Sequence, residues 1–111
     1  MEGNVMKTLV LRYKMGTEEL HDAKKYLRMA SEAKDQESRD MFLGLADQEL
    51  GHYDMIHRSG SKLLENAVKS NPEECHGCSD AWNALTEISS AWAREIRESV
   101  SNLRTKPMSP H

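Results

Sequence analysis

The chain has 111 residues, 38% of them hydrophobic and 30% charged, with few Gly or Pro; this suits one folded, helix-rich domain and argues against disorder. The formal net charge is -3, with Lys and Arg scattered among Asp and Glu. There is therefore no basic stripe for nucleic acid, and no apolar run approaches membrane-spanning length. The longest apolar run near the start, Leu9-Val10-Leu11, is too short for a signal peptide, so the expected location is cytoplasmic.

From about Val5 to Ala33 the sequence reads as one long helix, unbroken at Gly16. Leu9, Tyr13, Gly16, Leu20, Ala23, Leu27 and Ala30 recur in steps of three and four and share a face. Lys34 to Gln36 makes a turn, and Asp35 is a suitable N-cap for a second helix with Glu37 in its first turn. The expected inward stripe of that helix is Phe42, Leu45, Glu49, His52 and Ile56. The helix either ends at Ser59-Gly60-Ser61 or runs on through Leu63, Leu64 and Val68. The short connection predicts an antiparallel hairpin over residues 1–70. A linker follows over 71–80, opened by Asn71-Pro72. Asp80 is the expected cap of a third, amphipathic helix over 81–105 with Leu85, Ile88, Trp92, Ile96, Val100 and Leu103 on one face. Residues 106–111 read as a frayed tail. The expected fold class is all-α: a two-helix hairpin plus a third helix.

The chemistry is concentrated on the second helix. Glu49 and His52 interrupt an apolar stripe held by Leu45 and Ile56, and burying a carboxylate is costly unless a cation compensates it. Three residues apart on a helix, the two side chains can grip one ion, and Glu19 supplies an acid from the first helix. Two carboxylates and an imidazole suit iron or manganese better than a soft thiolate metal. One Glu from one helix and Glu-x-x-His from the next form half of a di-iron centre, so the second half must come from another subunit. Glu-x-x-His alone says little, since it also occurs at Glu18–His21 and Glu73–His76. The first of these falls off the apolar face and the second lies in the linker. The plain alternative for the middle copy is a partly exposed Glu and a satisfied core His.

Residues 18–64 resemble the ferritin-like and rubrerythrin-like superfamily, most closely the short encapsulated ferritin-like proteins. The resemblance rests on Glu19, Tyr26, the Asp-x-Glu-Ser-x-x-x-Phe-x-x-Leu-Ala run from Asp35 to Ala46, and Glu49-Leu-Gly-His52. It implies a four-helix bundle completed by a second subunit, in a homodimer or a higher homo-oligomer built from dimers. Each subunit pair would hold two iron ions, with manganese or zinc as substitutes. Glu19 would be a terminal or bridging ligand, Glu49 the bridging carboxylate and His52 the nitrogen ligand, with Tyr26 behind them. The implied activity is a ferroxidase-type oxidation of Fe(II) by O2 or peroxide for iron handling or detoxification. The alternatives are a rubrerythrin-like peroxide reductase and a non-catalytic helical oligomerisation module with a structural metal site. Rubrerythrins ordinarily carry both half-sites and two Cys-x-x-Cys pairs in one chain, and this chain has one of each. An encapsulin shell is the partner the resemblance implies, although Asn102 to His111 holds no clear apolar docking peptide.

His57, beyond His52 on the same helix, is a candidate for the path by which iron reaches the site, or an ordinary surface histidine. Tyr26 reads first as core packing, and Trp82 and Trp92 as third-helix core or interface. Cys75-His76-Gly77-Cys78 supports three readings: half of a tetrahedral metal site, a redox dithiol, or two reduced thiols in a flexible loop.

Overall fold

The structure, a computed structural model, describes residues 2–108, with side chains from residue 4 onward. Among the described residues there are three helices and no strand: α1 (Glu2–Glu32), α2 (Gln36–Ser70) and α3 (Cys78–Thr105). The expected tail begins where α3 stops, and residues 109–111 lie outside the described residues.

Asp35 makes the first corner. Its backbone is extended, and its carboxylate accepts from the Ser38 backbone N–H at 2.8 Å and the Ser38 hydroxyl at 3.0 Å. The cap satisfies an amide that the first turn of α2 would otherwise leave unpaired. Contacts between α1 and α2 step in opposite directions from this corner. Arg12 Nε donates to Ser59 Oγ at 3.1 Å, and farther along Glu19 faces His52. The hairpin is therefore antiparallel.

α2 does not stop at Ser59-Gly60-Ser61. A Cβ on Gly60 would lie 2.3 Å from Cη2 of Trp82, so the glycine lets the indole of α3 rest on the α2 backbone. Trp82 Nε1 donates to Ser61 Oγ at 3.1 Å, and His57 stacks on the indole with ring centroids 5.8 Å apart. The Gly and Ser that looked like a helix stop are a docking notch.

The second corner comprises residues 71–77, shorter than the expected linker, and α3 begins at Cys78. Gly77, not Asp80, is the residue before the helix. Its φ of 82° is open to glycine at little cost, and Asp80 lies in the first turn. α3 runs back antiparallel to α2 and packs on both helices of the hairpin. Tyr53 Oη shares hydrogen bonds with Ser89 Oγ (2.9 Å) and Ser90 Oγ (3.2 Å). Arg97 and Arg104 pair with Asp54 (2.5 Å) and Asp47 (2.6 Å). Arg39 reaches from the start of α2 to the carbonyl of Lys106.

Two apolar clusters hold this bundle. The larger joins Leu20, Ala23 and Ala30 of α1 to Leu43, Ala46, Leu50 and Tyr53 of α2 and to Ala93, Ile96 and Val100 of α3. The alanines let the helices approach closely while each fully buried Leu or Ile contributes about 1.5–3 kcal/mol. The smaller comprises Leu9, Leu64, Cys75, Cys78 and Trp82 at the other end. The bundle is long and narrow, 63 × 16 × 15 Å.

The expected face of α1 is the observed one. Those of α2 and α3 are displaced. α2 buries Arg39, Leu43, Ala46, Leu50, Tyr53, Gly60 and Leu64, so Phe42, Leu45, Glu49, His52 and Ile56 form the shoulder beside that face. α3 buries Trp82, Thr86, Ser89, Ala93, Ile96 and Val100, while Ile88 is 70% exposed. The reason is common to both. Each helix packs against two neighbours, so the buried arc centres between them, and hydroxyls that find hydrogen-bond partners enter it.

Candidate metal centre

Glu19 on α1 and Glu49 and His52 on α2 meet at the α1–α2 seam. His52 Nδ1 lies 3.5 Å from Glu19 Oε2 and 3.8 Å from Glu49 Oε1, and one ligand atom from each residue falls within a 4.8 Å span. The antiparallel register brings Glu19 level with His52, and the i,i+3 spacing places Glu49 on the adjoining turn. Among the described residues this is the one set of three His, Cys, Asp or Glu side chains so placed. It contains all three residues expected from the sequence, and no further member.

The surroundings differ from expectation. The site is on the shoulder of the hairpin rather than in the core, with side-chain exposures of 26% for Glu19, 17% for Glu49 and 51% for His52. Asp47, Tyr53, Asp54 and Ser61 of α2 face α3, whereas Glu49 and His52 lie round the helix from them, against α1. The donors therefore sit on the side of the seam away from α3, open to solvent.

The electrostatics favour a cation. The Glu49 carboxyl is held above its ordinary value, first by its hydrogen bond with Glu19, then by burial and by the Glu19 charge, with His52 working in the opposite direction. A cation between the two carboxyls would relieve the crowding that raises Glu49. A metal ion about 2.0–2.2 Å from each donor would need those donors about 3–3.5 Å apart, close to the separations from His52. The residues thus fit a divalent cation with hard oxygen ligands and one imidazole, and the geometry alone does not name the metal.

The other candidates lie apart from this trio. Tyr26 is half-buried against the larger core cluster, seven residues and about 10 Å along α1 from Glu19. His57 is turned toward α3, between Tyr53 (ring centroids 5.8 Å apart) and Trp82. Glu18 and His21 are exposed, and the His21 ring meets Trp92 edge-on at 4.7 Å. Glu73 and His76 are exposed in the second corner. Cys75 and Cys78 are buried rather than held in an open loop, and no disulfide joins them. Met15, one turn before Glu19, is 40% exposed, and Met55, one turn after His52, is 57% exposed. Their spacing from the ligands was the available signal that they flank the site.

Comparison with protein-family models, with curated proteins and with solved structures gave no match.

Proposed function

We propose that this chain is a di-iron carboxylate protein that oxidises Fe(II) with O2 or peroxide at a centre shared between two subunits. The observation that carries this reading is the convergence of Glu19, Glu49 and His52 within 4.8 Å on an open flank. Three donors are half of what two metal ions need, and the flank they occupy is half-apolar. Phe42, Leu45 and Ile56 are half-buried there, and Met15 and Met55 are exposed beside the ligands. A second copy brought against this flank would cover the apolar side chains and supply the missing donors.

Iron(II) is the substrate, and each of two bound ions gives one electron to the oxidant. The chain's own residues would bind and orient the ions. Glu49, the least exposed of the three, lies beside both Glu19 and His52; in the resemblance it would be the bridging carboxylate, with Glu19 and His52 as the other ligands. The charge of the two carboxylates favours the higher oxidation state, more strongly once a partner excludes water. The resemblance described above points the same way, and in it Tyr26 supports the ligands from behind.

Aerobic oxidation of Fe(II), followed by near-ultraviolet absorbance, tests the proposal. The wild-type chain should oxidise Fe(II) with saturable kinetics, and Glu49→Ala and His52→Ala should lose that rate while remaining helical by circular dichroism. Equal rates in wild type and both variants would remove the site assignment. A chain that stays monomeric in the presence of Fe(II) would remove the shared centre.

A further inference from the structure

The two cysteines form a second chemical feature, distant from the metal ligands. Cys78 N–H donates to the Cys75 carbonyl at 3.0 Å, and Gly77 between them has φ 82° and ψ -7°. These are the hydrogen bond and third-residue conformation of a type II β-turn with Cys75 and Cys78 at its ends. The end Cα atoms of such a turn are less than about 7 Å apart, which overlaps the span a disulfide bridges. Both residues also belong to one buried cluster with Leu9, Leu64 and Trp82. Only the glycine at the third position lets the turn close this way at little cost.

We propose that Cys75 and Cys78 are a reversible dithiol–disulfide couple that exchanges electrons with low-molecular-weight disulfides. Cys75 is 5% exposed and Cys78 1%, and the residues before and between them are largely exposed, so the external disulfide reaches Cys75 first. The Cys75 thiolate attacks one sulfur of the external disulfide, forms a mixed disulfide and releases one thiolate. The Cys78 thiolate then attacks Cys75 Sγ, closes the internal bond and releases the second thiolate. The two protein thiols lose two electrons, the external disulfide gains them, and the two protons end on the released thiols. Because the reacting ends already belong to one turn, the second step is intramolecular and outpaces addition of a second external group.

The couple is independent of the metal reading. Leu9, against which the cysteines pack, is ten residues and about 15 Å along α1 from Glu19. The test is to equilibrate the full chain with reduced and oxidised glutathione over a range of ratios, quench with acid, unfold, alkylate and weigh. The expected result is one transition from two alkylated cysteines to none, giving a monomer about 2 Da lighter than the reduced chain. Cys75→Ser and Cys78→Ser should instead accumulate a single glutathione adduct. Two alkylated cysteines at every ratio, two adducts on one wild-type chain, or disulfides only between chains would each overturn the proposal. The wild-type masses decide the matter even if a serine variant fails to fold.

Discussion

Gly60→Ala should destabilise the protein, although replacing a helix-interior glycine by alanine ordinarily stabilises. The added Cβ would lie 2.3 Å from Cη2 and 2.4 Å from Cζ2 of Trp82. Carbon atoms in contact sit about 3.5–4.0 Å apart, so the indole must retreat by more than about 1 Å. It has little room to do so. Trp82 is 3% exposed, stacked against His57 and bonded to Ser61. Overpacking of this kind costs about 1–3 kcal/mol, and a lost hydrogen bond to Ser61 adds about 1 kcal/mol. Alanine returns about 0.8–1 kcal/mol of helix propensity. The net loss is about 2 kcal/mol, a fall in melting temperature of about 8 °C for a domain of this length. Gly44→Ala is the internal control, because a Cβ there meets nothing within 4 Å and should raise stability by about 0.5–1 kcal/mol. Thermal unfolding followed by circular dichroism measures both. If Gly60→Ala melts at or above the wild-type temperature, the indole does not rest on the α2 backbone as described.

Asp35→Ala removes the acceptor of the Ser38 amide and should cost about 1 kcal/mol, read from urea unfolding midpoints at unchanged slope. Tyr53→Phe deletes the hydroxyl that bonds Ser89 and Ser90 and should cost about 1–2 kcal/mol in the same assay. Glu49 gives a pH dependence. Its carboxyl is raised in the folded chain, so the metal-free folded state keeps a proton at a pH where the unfolded state has lost it. This contribution to stability is therefore greatest at low pH and declines as the pH rises through the folded value. In chelator, Glu49→Gln should melt higher than wild type at neutral pH, and the advantage should shrink on acidification; a lower melting temperature for the variant at neutral pH would contradict the crowding of Glu49 by Glu19. Added Mn(II) should reverse the order, raising wild-type stability by about 2.7 kcal/mol at one hundred times its dissociation constant and leaving the variant nearly unmoved.

The features that were legible in the sequence depend on neighbours along the chain. α1 and its buried face follow from one uninterrupted period, and the Asp35 cap from a residue type next to a turn. The Glu19, Glu49 and His52 trio was legible because an antiparallel hairpin maps positions by their distance from the corner. Glu19 stands sixteen residues before Asp35 and His52 seventeen after it, so any tight turn at Asp35 makes them level. Features that depend on distant partners were not legible. Gly60 reads only as a possible helix stop until Trp82, 22 positions later, lies across it. Nothing in the sequence marks Ser89 as buried until Tyr53 reaches it, and Ile88 beside it is left outside the interior.

The displacement on α2 has the same origin and bears directly on the site. Two overlapping stripes fit the period there, one through Leu45, Glu49 and Ile56 and one through Ala46, Leu50 and Tyr53. By hydrophobicity the first is a plausible core, and Glu49 then looks like a buried charge that demands a counter-ion. In the structure α3 and α1 together cover the second stripe, and the first becomes a half-covered shoulder. That lowers the cost of keeping Glu49 and Glu19 apart from any ion, since water reaches both carboxyls. Mutual repulsion rather than burial therefore favours a cation: two carboxyls and an imidazole are held together by the hairpin register whether or not anything binds between them. The same exposure that weakens the burial argument leaves the donors within reach of an ion from solvent and of a second half-site on another chain.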